Sequence, residues 1–162
     1  MTFIRNRDRI AFNVRTRAAI ISMAISAAFI VPSADAEEHI VRARRAEWVP
    51  SVLFIQPGDS VIWKGMRSHE TELITGMGPE GAFAWDSEID AEDFTVTFDI
   101  EGAYIYSCDV HMNFGMVGAI IVGDGQPMNL ASIDAALPAV EVGQQAVRRI
   151  IDRVKRALAR RN

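Results

Sequence analysis

The stretch SCDVHMNFGM, residues 107–116, decides how this chain is interpreted. It places Cys108, His111 and Met116 in a C-x2-H-x4-M pattern between two segments typical of β-strands. Because strands hold such a loop at both ends, its three side chains can turn onto one point. A fourth candidate, His69, follows an earlier strand-like segment. The pattern predicts that four separated side chains meet at one metal centre.

The donor types indicate which metal this centre would hold. Thiolate and thioether sulfurs are soft donors, and two imidazoles complete a set suited to copper in both oxidation states. A rigid site changes little between copper(I) and copper(II), so one electron can be exchanged with a low barrier. The chain has one cysteine and therefore no internal disulfide, and metal ligation would explain the unpaired thiol. We expect one type 1 copper ion, bound by His69, Cys108, His111 and Met116.

Other chemistries fit these residues less well. Structural zinc sites favour cysteine pairs or Cys2His2 sets, and a thioether is not a usual zinc ligand. A nucleophilic cysteine with His69 or His111 as its base would lack an orienting residue and leave Met116 unexplained. Covalent haem attachment needs a C-x-x-C-H motif, which the sequence lacks.

The segments around the site predict an all-β domain. Short β-branched and aromatic runs are separated by Gly, Pro and Asp turn signals, which is typical of a β-sandwich or barrel. The stretch 75–92 is expected to be a long loop. The predicted strands are 39–43, 52–55, 60–64, 94–98, 103–107 and 117–122.

Residues 126–162 have the apolar spacing of helices. Asn129 is expected to cap a first helix, and Pro138 interrupts the pattern. The second helix is amphipathic, with arginines opposite its apolar face, and we expect it to pack on the β-domain. A helix lying on a membrane surface is the alternative. The apolar positions are Leu130, Ile133 and Leu137, then Val147, Ile150, Ile151, Val154 and Leu158.

Residues 1–36 have the order of a secretory signal peptide. Five arginines precede an apolar run, 18–31, and the small-residue triplet Ala34-Asp35-Ala36 follows. The run is short for a membrane span, which needs roughly 20 residues, so a membrane anchor is the weaker alternative. We expect cleavage after Ala36, export without stable membrane insertion, a β-domain over 37–125 and a helical extension over 126–162.

The charge distribution excludes one class of partner. The chain carries a net charge of −4 at pH 7, and between Glu47 and Asp124 only Lys64 and Arg67 are basic. Seven basic residues lie instead between Arg148 and Arg161. Nucleic-acid binding needs clustered Lys and Arg, so the acidic body does not predict it. The acid excess serves either solubility or steering towards a basic partner.

At these residues the chain resembles the cupredoxins and, within them, the pseudoazurins. The resemblance implies an eight-stranded Greek-key β-sandwich with two C-terminal helices. It also implies a periplasmic one-electron carrier, not an enzyme, that serves redox enzymes such as nitrite reductase or cytochromes. The similar features are QPGDSV at 56–61, Ser68-His69, GMGPEGA at 76–82, the C-x-x-H-x-x-x-x-M loop with Met116-Val117-Gly118, and Met128-Asn129-Leu130.

Two departures from the resemblance fall next to the ligands. The family usually has Asn after the first histidine and Pro two residues after the cysteine, whereas this chain has Glu70 and Val110. An ionised Glu70 only accepts hydrogen bonds, which puts the family's tie to the cysteine loop in question. Unlike proline, Val110 has an N–H. We expect this N–H to donate to the Cys108 thiolate and to raise the reduction potential.

The resemblance further implies an apolar docking patch for redox proteins around His111, formed by Met77, Pro79, Met112 and Phe114. Pseudoazurins typically surround this edge with lysines, whereas this acidic chain is expected to have a rim of opposite sign. A copper-handling protein that delivers or stores the ion is the alternative function. A domain that has lost its metal is a third.

The expected mature N-terminus, Glu37-Glu38-His39, is a candidate second copper site. A free amine, two backbone amides and a third-position imidazole can chelate copper(II) in a square plane. An ordinary surface histidine is the alternative.

Overall fold

The structure is a computed structural model that describes residues 35–161. All but the last two residues of the expected signal peptide lie outside this part of the chain. No helix within 35–161 is both long enough and apolar enough to cross a bilayer.

Within residues 35–161, eight strands form two four-stranded sheets. They are β1 (Glu38–Arg44), β2 (Glu47–Val49), β3 (Val52–Ile55), β4 (Asp59–Lys64), β5 (Glu72–Leu73), β6 (Asp93–Phe98), β7 (Gly102–Ser107) and β8 (Val117–Val122). One sheet has the order β2-β1-β4-β6 and the other β3-β8-β7-β5. The predicted all-β sandwich is confirmed, and the six strands predicted from the sequence agree with the structure to within one residue at each end.

Strand β7 shows how the core is divided, because every one of its residues is buried. Tyr104 and Tyr106 face an aromatic-rich cluster between the two sheets. Ala103 and Ile105 face the opposite way, into a second cluster between this sheet and the C-terminal helices. Alternate strand residues point to opposite faces, so the second sheet needs a cover on both sides.

The C-terminal residues provide that cover. They form α1 (Leu130–Ala136), a 3-10 turn (Leu137–Ala139) and α2 (Gln144–Ala159). The apolar face predicted for α2 is buried in the second cluster, so the helix packs on the second sheet and this face is not available to a membrane surface. The guanidinium of Arg161 lies 4.2 Å from the centre of the Phe54 ring.

Asn129 has a different role from the one predicted. Its side chain makes no capping hydrogen bond at the start of α1. Instead, its Oδ1 accepts from the N–H of Ala103 at 2.9 Å and its Nδ2 donates to the carbonyl of Ala103 at 2.7 Å. The side chain therefore ties the beginning of α1 to β7.

The N-terminal segment is bound to Asp59, which is only 5% exposed. Its carboxylate accepts from the N–H of Glu37 at 2.9 Å and of Gln56 at 2.8 Å, and His39 Nε2 lies 2.8 Å from it. Burial opposes ionisation, but these contacts hold the pKa of Asp59 below its ordinary value. In the structure the N–H of Glu37 and the ring of His39 are both directed to Asp59, and the second copper site at the expected mature N-terminus stays a prediction.

Candidate metal centre

The loop that carries three of the predicted ligands is fixed by the strands on either side of it. Strands β7 and β8 pair along their full length, ending at the pair Ser107 and Val117. Between them lies a 3-10 helix, Asp109–Phe114. The N–H of Cys108 donates to the carbonyl of Met116 at 3.0 Å, so the two ends of the loop are held side by side.

His69 is held by a reciprocal pair of hydrogen bonds from the long 75–92 loop. The N–H of Ser68 donates to Asp90 Oδ1 at 2.5 Å, and the N–H of Asp90 donates to the carbonyl of His69 at 3.1 Å. Ser68 and Asp90 both have left-handed backbone angles, with φ of 61° and 62°. Sequence reasoning missed Asp90, and nothing in the local sequence distinguishes it from the other acids of its loop.

The predicted donor atoms converge in the folded chain. Cys108 Sγ lies 3.5 Å from His111 Nδ1 and 3.8 Å from His69 Nδ1, and these three atoms all lie within 4.8 Å of one another. The two imidazole rings are 4.6 Å apart between centroids. Met116 is fully buried in the same cluster as Cys108.

The donor set fits copper. A thiol sulfur and two imidazole nitrogens face a common point, with a buried thioether at the end of the same loop. Soft sulfur with imidazole suits copper, whereas a thioether is not a usual zinc ligand. Within residues 35–161, neither Nδ1 has another hydrogen-bond partner. Both imidazoles are therefore free to bind a metal through Nδ1.

Burial sets the protonation of the centre in the absence of a cation. It lowers the pKa of His69, the neighbouring His111 adds to this effect, and Asp90 opposes it. The neutral imidazole that results is the form that ligates metals. Burial also raises the pKa of the Cys108 thiol, and nearby backbone N–H groups oppose that rise. Binding a metal would release the thiol proton.

Glu70 does contact the cysteine loop, as an acceptor. Its Oε1 accepts from the N–H of Val110 at 3.3 Å. The N–H of Val110 was expected to donate to the Cys108 thiolate, but it lowers the pKa of this thiol only slightly. Among the backbone N–H groups that lower the thiol pKa, those of Glu70 and His111 both have a larger effect than that of Val110.

The predicted apolar docking patch is wrong for Met77 and Met112, which are buried, and Pro79 lies away from the ligands. Phe114 is 76% exposed, but Met77 is fully buried and Met112 nearly so, because both belong to the core that α2 covers. Pro79 packs against Gly102, at the end of β7 remote from Cys108. Of the four, Phe114 alone offers an exposed apolar surface beside the ligands.

The charged rim differs from the expectation on one side of the ligand loop. At the Phe114 end, three arginines and one acidic residue, Glu47, line an open cleft of about 630 Å³ that also includes Phe114 and Gly115. The expected acidic rim is therefore wrong here, because arginines remote in sequence fold back to the loop. We call Arg45, Arg149 and Arg153 the basic flank.

Acidic side chains surround the other end of the loop. The carboxyl of Glu72 has its pKa raised to about 7 by burial and by the nearby carboxyls of Asp109, Asp86 and Glu70. Asp90 acts on the neighbouring His69. We call Glu70, Glu72, Asp86, Asp90 and Asp109 the acidic flank.

The fold and the centre agree with the relatives of this chain. Residues 36–123 match the plastocyanin/azurin family of copper binding proteins. The chain belongs to this family, which confirms the predicted cupredoxin resemblance.

Within the family, the chain is similar to pseudoazurins. It is 37% identical over 88 residues to the pseudoazurin of Paracoccus pantotrophus, a match that covers 54% of this chain and 59% of that one. It is 36% identical over 76 residues to the pseudoazurin of Methylorubrum extorquens, covering 46% and 51%. The matches thus span little more than half the length of these curated relatives. A solved pseudoazurin structure from Sinorhizobium meliloti superposes with a TM-score of 0.62 at 31% identity, covering 73% of this chain and 96% of that one.

Proposed function

We propose that this protein is a blue-copper one-electron carrier that shuttles electrons between redox proteins and performs no substrate chemistry of its own. The observation that carries the proposal is the convergence of Cys108 Sγ with the Nδ1 atoms of His69 and His111. Similarity to pseudoazurins supports it. The copper ion, when bound, supplies the one-electron couple.

The side chains of the centre would act by holding their positions. Cys108 and Met116 are fully buried and lie at the two ends of a loop closed by a backbone hydrogen bond. His69 is tied through Asp90 and Ser68. A donor set held in this way needs little rearrangement when the charge of the site changes. His111 is half-buried, whereas His69, Cys108 and Met116 are buried. It is therefore the ligand most accessible to solvent, and its ring lies beside that of the exposed Phe114.

The visible spectrum of the copper-loaded protein tests this function. We expect an intense thiolate-to-copper absorption that disappears on reduction, and its loss in Cys108→Ser, His69→Gln and His111→Gln. His39→Gln is the matched control, because His39 contacts Asp59 and lies outside the centre. A colourless oxidised protein, or a Cys108→Ser variant with unchanged redox behaviour, would contradict the proposal.

Delivery or storage of copper is the second candidate. The burial of Cys108 and Met116 supports retention of the ion over its exchange. Copper transfer to an excess of chelator should accordingly be slow compared with electron exchange. Rapid transfer without loss of fold would favour the handling function instead.

The partner we propose is a redox protein with an acidic surface. Phe114 would provide the apolar contact beside His111, and the cleft of the basic flank would accept carboxylates of the partner. Complementary charge mainly raises the association rate and orients the partners. The acidic flank would disfavour acidic groups at the other end of the loop, which restricts the orientation of docking.

The location we propose is the periplasm. The order of basic, apolar and small residues in 1–36 supports export. The N-terminal sequence of the exported protein tests the cleavage site, and a start at Glu37 is expected.

A further inference from the structure

Glu70 contacts both ligand loops. It follows His69 directly in the chain, and its carboxylate reaches the N–H of Val110, which lies 40 positions further on and two residues after Cys108. The backbone N–H of Glu70 also acts on the Cys108 sulfur and lowers the pKa of its thiol. One residue therefore contacts the cysteine loop through its main chain and through its side chain.

The carboxylate of Glu70 occupies an electrostatically unfavourable place. It lies close enough to Glu72 to raise that carboxyl's pKa, and its charge also disfavours the Cys108 thiolate. A flexible, half-buried glutamate could turn towards solvent and avoid this repulsion. The hydrogen bond from Val110 offsets the repulsion and keeps the carboxylate beside the cysteine loop.

The position of the Val110 N–H matters for the thiolate. An N–H that donates to a metal-bound thiolate disperses its negative charge and favours the reduced metal. Here Glu70 Oε1 accepts this N–H and competes with the sulfur for it. The carboxylate also adds a negative charge near the centre, which favours the more highly charged, oxidised ion. Both effects have the same sign.

We propose that Glu70 is a positioning residue that ties the His69 loop to the Cys108 loop through Val110 and lowers the reduction potential of the centre. This inference rests on the proposed function. The lower potential is assigned to the hydrogen-bonded pair of the Glu70 side chain and the Val110 N–H, which act together.

Four variants of the copper-loaded protein separate charge from hydrogen bonding. Glu70→Gln keeps an oxygen acceptor and removes the charge, Glu70→Ala removes both, and Val110→Pro removes the N–H. The double variant Glu70→Ala/Val110→Pro completes the cycle. Asp86→Asn is the control for loss of an acidic-flank charge without loss of the tie.

We expect the midpoint potential to rise in the order wild type, Glu70→Gln, Glu70→Ala. In the Val110→Pro background, Glu70→Ala should raise the potential by less than it does in the wild type, because only the charge is lost there and the N–H for which the sulfur and the side chain compete is already gone. Copper release to a chelator should be about fivefold faster in Glu70→Ala, as expected for one lost hydrogen bond, and unchanged in Glu70→Gln.

A measurement on the reduced, diamagnetic protein does not depend on the proline variants. The amide proton of Val110 should exchange faster with solvent or shift in its NMR resonance in Glu70→Ala, and should be little changed in Glu70→Gln. Equal potentials for wild type, Glu70→Gln and Glu70→Ala would overturn the inference. So would an unchanged Val110 amide. Absence of the thiolate absorption in the wild type would instead overturn the proposed function.

Discussion

The two flanks of the ligand loop carry opposite charges, and they also differ in what those charges contact. In the acidic flank, Glu70 accepts from Val110 and Asp90 accepts from Ser68, so these carboxylates hold the ligand loops. In the basic flank, no arginine forms an ion pair with any of residues 35–161, and Arg153 donates only to the hydroxyl of Ser51. The comparison indicates that the acidic flank is part of the construction of the centre, whereas the basic flank remains available to a partner.

Charge reversal in the basic flank is expected to have the largest effect. Arg149→Glu with Arg153→Glu should lower the electron-transfer rate with an acidic test partner by about tenfold at low salt, and less at high salt. The control is Arg148→Glu with Arg156→Glu, which makes the same change of net charge on the same helix outside the cleft. Stopped-flow kinetics measures both. Equal losses in the two variants would show that net charge matters and the cleft does not.

Removing the side chain of Asp90 is expected to have the next largest effect. Asp90→Ala loses the bond to Ser68 and places alanine at a φ of 62°, a conformation that aspartate and asparagine tolerate better. The free energy of unfolding of the metal-free protein should fall by about 1 kcal/mol. Asp90→Asn, which keeps an acceptor and tolerates this φ, should lose less in the same urea titration. If both variants unfold like the wild type, the acidic flank does not hold the His69 loop.

Neutralising Glu72 is expected to have the smallest effect, and its sign depends on pH. The folded chain raises the pKa of Glu72 from 4.5 to about 7, so folding favours its protonated form. The stability that this gives is present at low pH and is lost as the pH rises through about 7. Glu72→Gln should therefore raise Tm at pH 8, by no more than about 2 °C, and leave it unchanged at pH 5.

Glu92→Gln is the matched control for Glu72→Gln, because Glu92 is exposed and outside the acidic flank. A rise in Tm for Glu72→Gln that is the same at both pH values would mean that packing and not charge is responsible. The groups that face Glu72 are Asp109, Asp86 and Glu70.

The sequence predicted the parts of the molecule that depend on local pattern. Strands β7 and β8 have six residues each, which is enough for the sequence to predict them as strands. The loop between them has a spacing of Cys, His and Met that few functions other than copper binding explain. Strands β2 and β5 were missed, because three and two residues are too few to show alternation. Trp48 in β2 nevertheless lies in the core, with its ring 6.2 Å from that of His69.

The parts that failed depend on contacts between distant segments. Counting charges along the chain placed the arginines in a tail, but α2 brings Arg149 beside Gly115 and the β1–β2 turn brings Arg45 to the same cleft. Met77 looked like a surface residue because it lies in an irregular stretch. Its carbonyl accepts from the N–H of Ile105 at 2.9 Å, and this pairing carries its side chain into the core. Neither contact leaves a local signal.

Helix α2 serves two purposes with its two faces, since one side completes the core over β7 and β8 and the other supplies Arg149 and Arg153. Truncation ahead of residue 144 would therefore not yield a smaller carrier with weaker partner preference. It would uncover an apolar sheet and favour aggregation. Mutations of α2 that are meant to change partner preference must accordingly be exchanges on its outer side, and not deletions.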